Sequence, residues 1–287
     1  SWSSIPTQAF SSAYALRMDN TLWAWGNNNE GILGINQFSV DQSSPVQITS
    51  MWTSLSEDLY LSRLNLPYRS WSNLNTGVGT VHNFSISNTG ELWGWNVGDV
   101  GSSNSTGHLG LNDTVYRSFP VRVGTSSWVS VSAFAGGAYA IRLDGSLWAW
   151  GLNSSGQLGT GVSGTLTNRS SPVQIGTSSW SMVAAGTDHA LAIRSDGRLF
   201  AWGVGTSGQL GVAGSLASMS SPVQIGTSSW TFINAGTNRS HGITNDGRLF
   251  SWGINTNGIL GNNSTATITS PVAIGTSSWS SVYASIS

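Results

Sequence analysis

Apolar positions along this chain fall in short runs that are too brief for helices and separated by turn residues. In one stretch, Ser181 to Ala185, Ala190 to Arg194 and Arg198 to Trp202 are β-prone runs, with Asp196-Gly197 between the second and third. Asp-Gly between two such runs favours a two-residue turn in which both central residues take φ > 0. The flanking strands are then antiparallel neighbours. The same turn is read at Asp144-Gly145, Asp246-Gly247, Thr89-Gly90 and Asp19-Asn20. A fourth strand is expected at Pro172 to Ile175, with proline at its first position, where a missing donor is tolerated.

This pattern repeats. The unit reads SSW, an apolar run, DG, LWAWG, GxLG and SPVxIGT, and its second aromatic falls at Trp25, Trp95, Trp150, Trp202 and Trp252. The proline of SPV recurs at Pro45, Pro120, Pro172, Pro222 and Pro271, and the leading tryptophan at Trp2, Trp71, Trp128, Trp180, Trp230 and Trp279. Both rulers settle near 50 residues per copy, as a repeat architecture requires. Four antiparallel strands per copy describe a propeller blade. The expectation is an all-β, single-domain propeller over residues 1–287, with five complete four-stranded blades, an insertion at about 53–70 and one extra C-terminal strand. That strand, at Ser281 to Ile286, is expected to close the ring against the N-terminal blade, because open sheet edges invite association.

The run AAGTDHALAIRSDGRLFAWG at 184–203, followed by GTSGQLG at 205–211 and SSPVQIG at 220–226, resembles the repeat of the regulator of chromosome condensation family. The likeness recurs in all five copies. It implies the propeller fold, which in that family has seven blades. Family members include a nucleotide exchange factor, secreted inhibitors of β-lactamases, and phage or environmental proteins. The exchange factor's basic tail has no counterpart in this sequence, so the resemblance carries over the fold and not that activity.

Composition narrows the function classes. Only 8% of residues are charged, every one of the 11 basic residues is arginine, and no basic stripe occurs. Nucleic-acid binding through displaced counterions is therefore not expected. Cys 0 removes disulfides, thiolate nucleophiles and cysteine-ligated zinc. No run of 18 apolar residues suggests a membrane span. The chain begins at Ser1 without a signal-like segment, so processing or a longer parent chain is expected.

No catalytic constellation, metal site or cofactor is expected. The repeated tryptophans are read as core; burying one indole removes about 150–250 Å² from water, worth roughly 4–6 kcal/mol as an upper bound. His82, His108, His189 and His241 fall in three different repeat positions and are read as polar residues at blade surfaces. Asp19, Asp144, Asp196 and Asp246 are assigned to turns. The GxLG glycines lack the lysine or helix start of a phosphate loop. The Asn-x-Ser/Thr sequons, Asn104 and Asn153 among them, match what the composition alone would give.

Function is sought where the repeat breaks, since variable loops on a rigid frame carry binding. Thr53 to Ser70 holds Tyr60, Arg63, Tyr68 and Arg69, residue types favoured at interfaces. A second candidate is the rim formed by the loops between GxLG and SPV, around Arg117 and Arg169. The favoured reading is a non-enzymatic structural or adhesion module, extracellular or part of a virion such as a phage tail, that binds a protein, an assembly neighbour or a glycan. The alternative is a soluble inhibitor or receptor that binds one protein.

Overall fold

The computed structural model of the chain describes residues 2–4, 12–17, 21–26, 28, 33, 35, 40–48, 71–76, 82–96, 104–117 and 119–282. Blade 1 comprises β1 (Trp2–Ser4), β2 (Ser12–Arg17), β3 (Leu22–Gly26) and β4 (Gln42–Gln47). Blade 2 comprises β5 (Trp71–Thr76), β6 (His82–Ser87), β7 (Leu92–Asn96) and β8 (Val121–Arg122). Blade 3 takes β9 (Trp128–Phe134), β10 (Gly137–Arg142), β11 (Ser146–Gly151) and the first part of β12 (Arg169–Ala185). The rest of β12 opens blade 4, followed by β13 (His189–Arg194), β14 (Leu199–Gly203) and β15 (Met219–Gln224). Blade 5 comprises β16 (Trp230–Ala235), β17 (Arg239–Thr244), β18 (Arg248–Gly253) and β19 (Ile268–Ser278).

Within each blade the strands pair in sequence order, so every connection is a hairpin between antiparallel neighbours. The long β12 runs on from blade 3 to blade 4: Val173 pairs with Ala149 and Met182 with Ile193. The glycines of the Asp-Gly turns take positive φ as expected, with Gly145, Gly197 and Gly247 at 81°, 84° and 82°, but Asp144, Asp196 and Asp246 do not. Gly145 N–H donates to Arg142 O at 2.9 Å, so the tight turn runs over Leu143 and Asp144 and the glycine closes a three-residue loop. Asp144 and Asp196 fix their turns by accepting the backbone N–H of Ser146 at 2.9 Å and of Arg198 at 3.1 Å.

Two further details correct the expectations. In blades 1, 3, 4 and 5 the fourth strand starts before its proline, as where Gly151 pairs with Arg169 and Ala149 with Val173, leaving Ser170 to Pro172 in an irregular register. In these blades the proline thus sits at a bulge, where no ladder donor is needed, and not at the strand's first position. In blade 2, β8 begins just after Pro120. At the C-terminus, the extra strand and the ring closure expected for Ser281 to Ile286 fall largely outside the described residues, from 283 onward. In blade 1, β2 already lies between β1 and β3, so neither of its edges is vacant.

The strand order divides the blades into two faces. Links between first and second strands, and loops between third and fourth, lie on what we term the loop face. The Asp-Gly turns and the blade-to-blade links lie opposite, on the turn face. First strands pack on the first and second strands of the preceding blade, for example β16 against β12 and β13.

Each seam is held by one tryptophan. Trp95, Trp150, Trp202 and Trp252 are fully buried, whereas Trp25, also expected in the core, is only half-buried. The indole N–H of Trp150 donates to His108 O at 3.0 Å, that of Trp202 to Gln157 O at 2.9 Å, and that of Trp252 to Gln209 O at 2.9 Å. The acceptor in each case is the variable residue of GxLG in the preceding blade. This also explains the last glycine of the motif. A Cβ on Gly110, Gly159 or Gly211 would come within 2.7–2.9 Å of the docked indole nitrogen, so any side chain there would push the next blade away.

Candidate protein-docking rim

The loops between third and fourth strands carry the variable residues, and in four of the five blades a buried asparagine builds the loop onto the frame. In blade 3, Asn153 Oδ1 accepts the N–H of Leu158 at 3.0 Å within GQLG, while its Nδ2 donates to Val162 O at 3.0 Å and Thr167 Oγ1 at 2.8 Å in the outer loop. Asn104 and Asn255 act alike: Leu109 N and Leu260 N donate to their Oδ1 atoms at 3.2 and 2.9 Å. Asn28 accepts Leu33 N at 3.1 Å. Blade 4 has Gly205 at this position, and Ser218 Oγ accepts its N–H at 3.3 Å. The signal for this hub was the spacing N-x-x-G-x-L-G in four of the five copies. Two of those asparagines, Asn104 and Asn153, also open Asn-x-Ser/Thr sequons, and both are fully buried.

Held in this way, the outer loops present apolar side chains to solvent. Val40, Val115, Val162, Leu166 and Leu216 are exposed, with Leu166 at 97%, and Ile259 joins them from the GILG loop of blade 5. On the turn face the exposed large apolar residues among those described include Leu143, at an Asp-Gly turn, and Trp279. The loop face therefore carries an apolar side chain on the outer loop of each of blades 1 to 4, and on the GILG loop of blade 5.

Arg117 and Arg169 occupy the same repeat position in blades 2 and 3, opposite Asn96 and Gly151. Met219 and Ile268 stand there in blades 4 and 5 and pack on the core. Arg117 forms an ion pair with Asp113 at 2.7 Å, and its backbone N–H donates to Asn96 Oδ1 at 2.8 Å. Arg169 donates to Asn168 O at 3.2 Å. Tyr60, Arg63, Tyr68 and Arg69 lie outside the described residues. The structure thus brings Arg117 and Arg169 onto one rim.

The histidines are not at blade surfaces as expected; all four are buried. His82 and His108 stack with centroids 4.7 Å apart at the seam between blades 2 and 3. His82 Nε2 lies 3.1 Å from Gly137 O across that seam, and His108 Nε2 lies 2.8 Å from Asn96 Nδ2. Burial holds His108, His189 and His241 at a pKa of about 4 and His82 well below its ordinary value, so they are neutral. Among the described residues no group of three His, Asp or Glu side chains could hold a metal ion, and no helix is long and apolar enough to cross a membrane.

Comparison with known proteins gives this architecture a family. The chain is 28% identical over 200 residues to the human probable E3 ubiquitin-protein ligase HERC3, a match covering 68% of this chain and 17% of that protein. It is 28% identical over 202 residues to the Arabidopsis thaliana ultraviolet-B receptor UVR8, covering 68% and 40%. The structure of Prp20p from Saccharomyces cerevisiae, whose reported properties include binding to Gsp1p and histones, superposes with a TM-score of 0.72 at 20% identity over 93% of this chain and 61% of that one. This chain therefore spans less than two thirds of each of these proteins, and the ligase match lies within a small part of the enzyme. The family model of the Regulator of chromosome condensation (RCC1) repeat matches residues 19–54, 144–193, 196–240 and 246–285, together more than half of the chain, and leaves the divergent blade 2 unmatched. With the indole-to-GxLG seam repeated between its blades, the chain belongs to the RCC1 repeat family of β-propellers.

Proposed function

We propose that this chain is a non-enzymatic protein-binding module, a single propeller domain over 1–287 with an insertion at 53–70, whose docking surface is the loop-face rim. The observation that carries the reading is the row of solvent-exposed Val115, Val162, Leu166 and Leu216, the first three on loops that buried asparagines hold in place. Exposed apolar residues gathered on one surface mark interaction sites, and a pre-ordered rim lowers the entropy cost of docking. Arg117 and Arg169 supply planar donors at the edge of that surface.

Protein is the partner class that the relatives favour. A glycan ligand, an adhesive role and a virion or extracellular setting rest on composition alone, and a soluble receptor or inhibitor fits the rim at least as well. Tyr60, Arg63, Tyr68 and Arg69 form a second proposed contact. In the sequence they fall between β4 and β5.

The test uses the chain as bait, with cross-linking and mass spectrometry to identify captured proteins. Leu166→Asp combined with Val115→Asp should abolish capture and leave the melting temperature within about 1–2 °C, since exposed substitutions change stability little. Leu143→Asp on the opposite face serves as the control and should capture normally. Equal capture by all three proteins would remove the rim as the docking surface.

A further inference from the structure

Two neighbouring seams carry an arginine at one strand position where the next seam has none. At the last position of the second strand, blades 3 and 4 carry Arg142 and Arg194, whereas blade 5 carries Thr244. The Arg142 guanidinium lies 3.5 Å from the ring centroid of Trp148 and 5.0 Å from that of Trp128. Arg194 lies 5.0 Å from the centroid of Phe200, the counterpart of Trp148. Thr244 is buried and donates its hydroxyl to Asp246, so nothing from that position reaches the equivalent ring, Phe250.

At this seam, between blades 4 and 5, the outer mouth opens into a slot of about 290 Å³ walled by Phe250 and Trp230. These rings meet edge to face, with centroids 5.3 Å apart. Val212, Ile225 and Pro271 complete the apolar lining, and Gln224 and Ser228 add polar atoms. Gln224 spends its amide N–H on Gly226 O at 2.8 Å, which leaves its Oε1 as an acceptor. The adjoining blade link already suits a guanidinium, since Thr227 O accepts from Arg198, and the matching Thr125 O accepts from Arg122 at 3.4 Å.

We propose that this slot binds an arginine side chain presented by a partner protein, stacked on Phe250 in the place that the chain's own arginines occupy in blades 3 and 4. Aromatic faces attract a guanidinium, and its weak hydration lets it enter apolar walls that an ammonium avoids. Arg248, exposed on the neighbouring turn and 5.2 Å from the Phe250 centroid, is the cation that a partner arginine would have to displace. The inference rests on the reading of the chain as a protein binder. It concerns the seam between blades 4 and 5, whose lining takes Gly211 and Val212 from the loop that carries Leu216, and its test needs no rim partner.

The probe is a capped pentapeptide, Gly-Ser-Arg-Ser-Gly, titrated into the ¹⁵N-labelled chain while the amide signals of Ser228 and Ser270 are followed. Saturable shifts are expected, with the lysine version of the peptide binding about tenfold more weakly or worse. Thr244→Arg should fill the slot from within and weaken binding about tenfold or more, and Phe250→Ala should do the same by removing the stacking face. Arg248→Ala should bind as well as the wild type or better. Unchanged signals of blade 2 in each variant show that the fold persists. No saturable shift, equal affinity for the lysine peptide, or full binding by Thr244→Arg would overturn the proposal. Loss of binding in Arg248→Ala would also overturn it, because Arg248 would then be helping to hold the peptide instead of competing with it for Phe250.

Discussion

The second strand of blade 4 reads HALAIR and that of blade 2 reads HNFSIS, and the two occupy the same place with different fillings. Blade 4 buries Ala190, Leu191 and Ala192; blade 2 buries Asn83, Phe84 and Ser85. Volume is exchanged across the hairpin. Phe84 faces Gly94 where Leu191 faces Ala201, and a Cβ on Gly94 would lie 2.7 Å from Phe84 Cε1. The freed space lets Phe84 reach Trp150 edge to face at 5.5 Å. Where blade 4 ends its third strand on Gly203, blade 2 has Asn96, which accepts from Arg117 N and meets His108. The seam geometry thus survives replacement of apolar contacts by a buried polar network, provided that shape is matched and hydrogen bonds are supplied.

The largest effect should come from the element that the seams have in common. Trp202→Ala removes a fully buried indole and one of the two donors to Gln157 O, the Tyr139 hydroxyl being the other, and it should cost about 3–5 kcal/mol by urea denaturation. A cost under about 1 kcal/mol would mean that the indole bolt does not hold the seam.

Acid should separate the two blades next. A histidine whose folded pKa lies below the usual 6.5 is neutral in the fold, while the unfolded chain takes up a proton. Its contribution is full above about pH 6.5 and is lost as pH falls towards about 4. Blade 2 contains two such groups, His82 and His108, and blade 4 contains one, His189. Replacing His108 with the glutamine found in blades 3 and 4 should remove part of that decline, by an amount on the order of 3 kcal/mol or less. Stability curves from pH 7 to pH 4 that coincide for wild type and His108→Gln would break the comparison.

The smallest of these effects is the sharpest test. Gly94→Ala should cost about 1–3 kcal/mol by overpacking against Phe84. Adding Phe84→Leu, which recreates the pairing of Leu191 with Ala201, should recover most of that loss. Additive losses in the double mutant would show that the blades are not interchangeable in shape.

Much of this protein is legible without its tertiary structure. The strand count per blade, the hairpins at Asp144-Gly145, Asp196-Gly197 and Asp246-Gly247, and the burial of Trp95, Trp150, Trp202 and Trp252 all follow from a period of two closed by residues that accept positive φ. The rim could be located from repeat symmetry, and the shared position of Arg117 and Arg169 can be counted from their prolines. Other features appear only when blades are stacked. Trp202 finds its acceptor 45 residues earlier, His82 and His108 become a stacked pair, and Trp230 and Phe250 face a slot whose other wall comes from blade 4. Local pattern determines each four-stranded sheet because hydrogen bonds and turn geometry act over a few residues. The seams depend on how two rigid sheets fit face to face, and that fit is decided by side-chain volumes some fifty residues apart, which no short-range periodicity records.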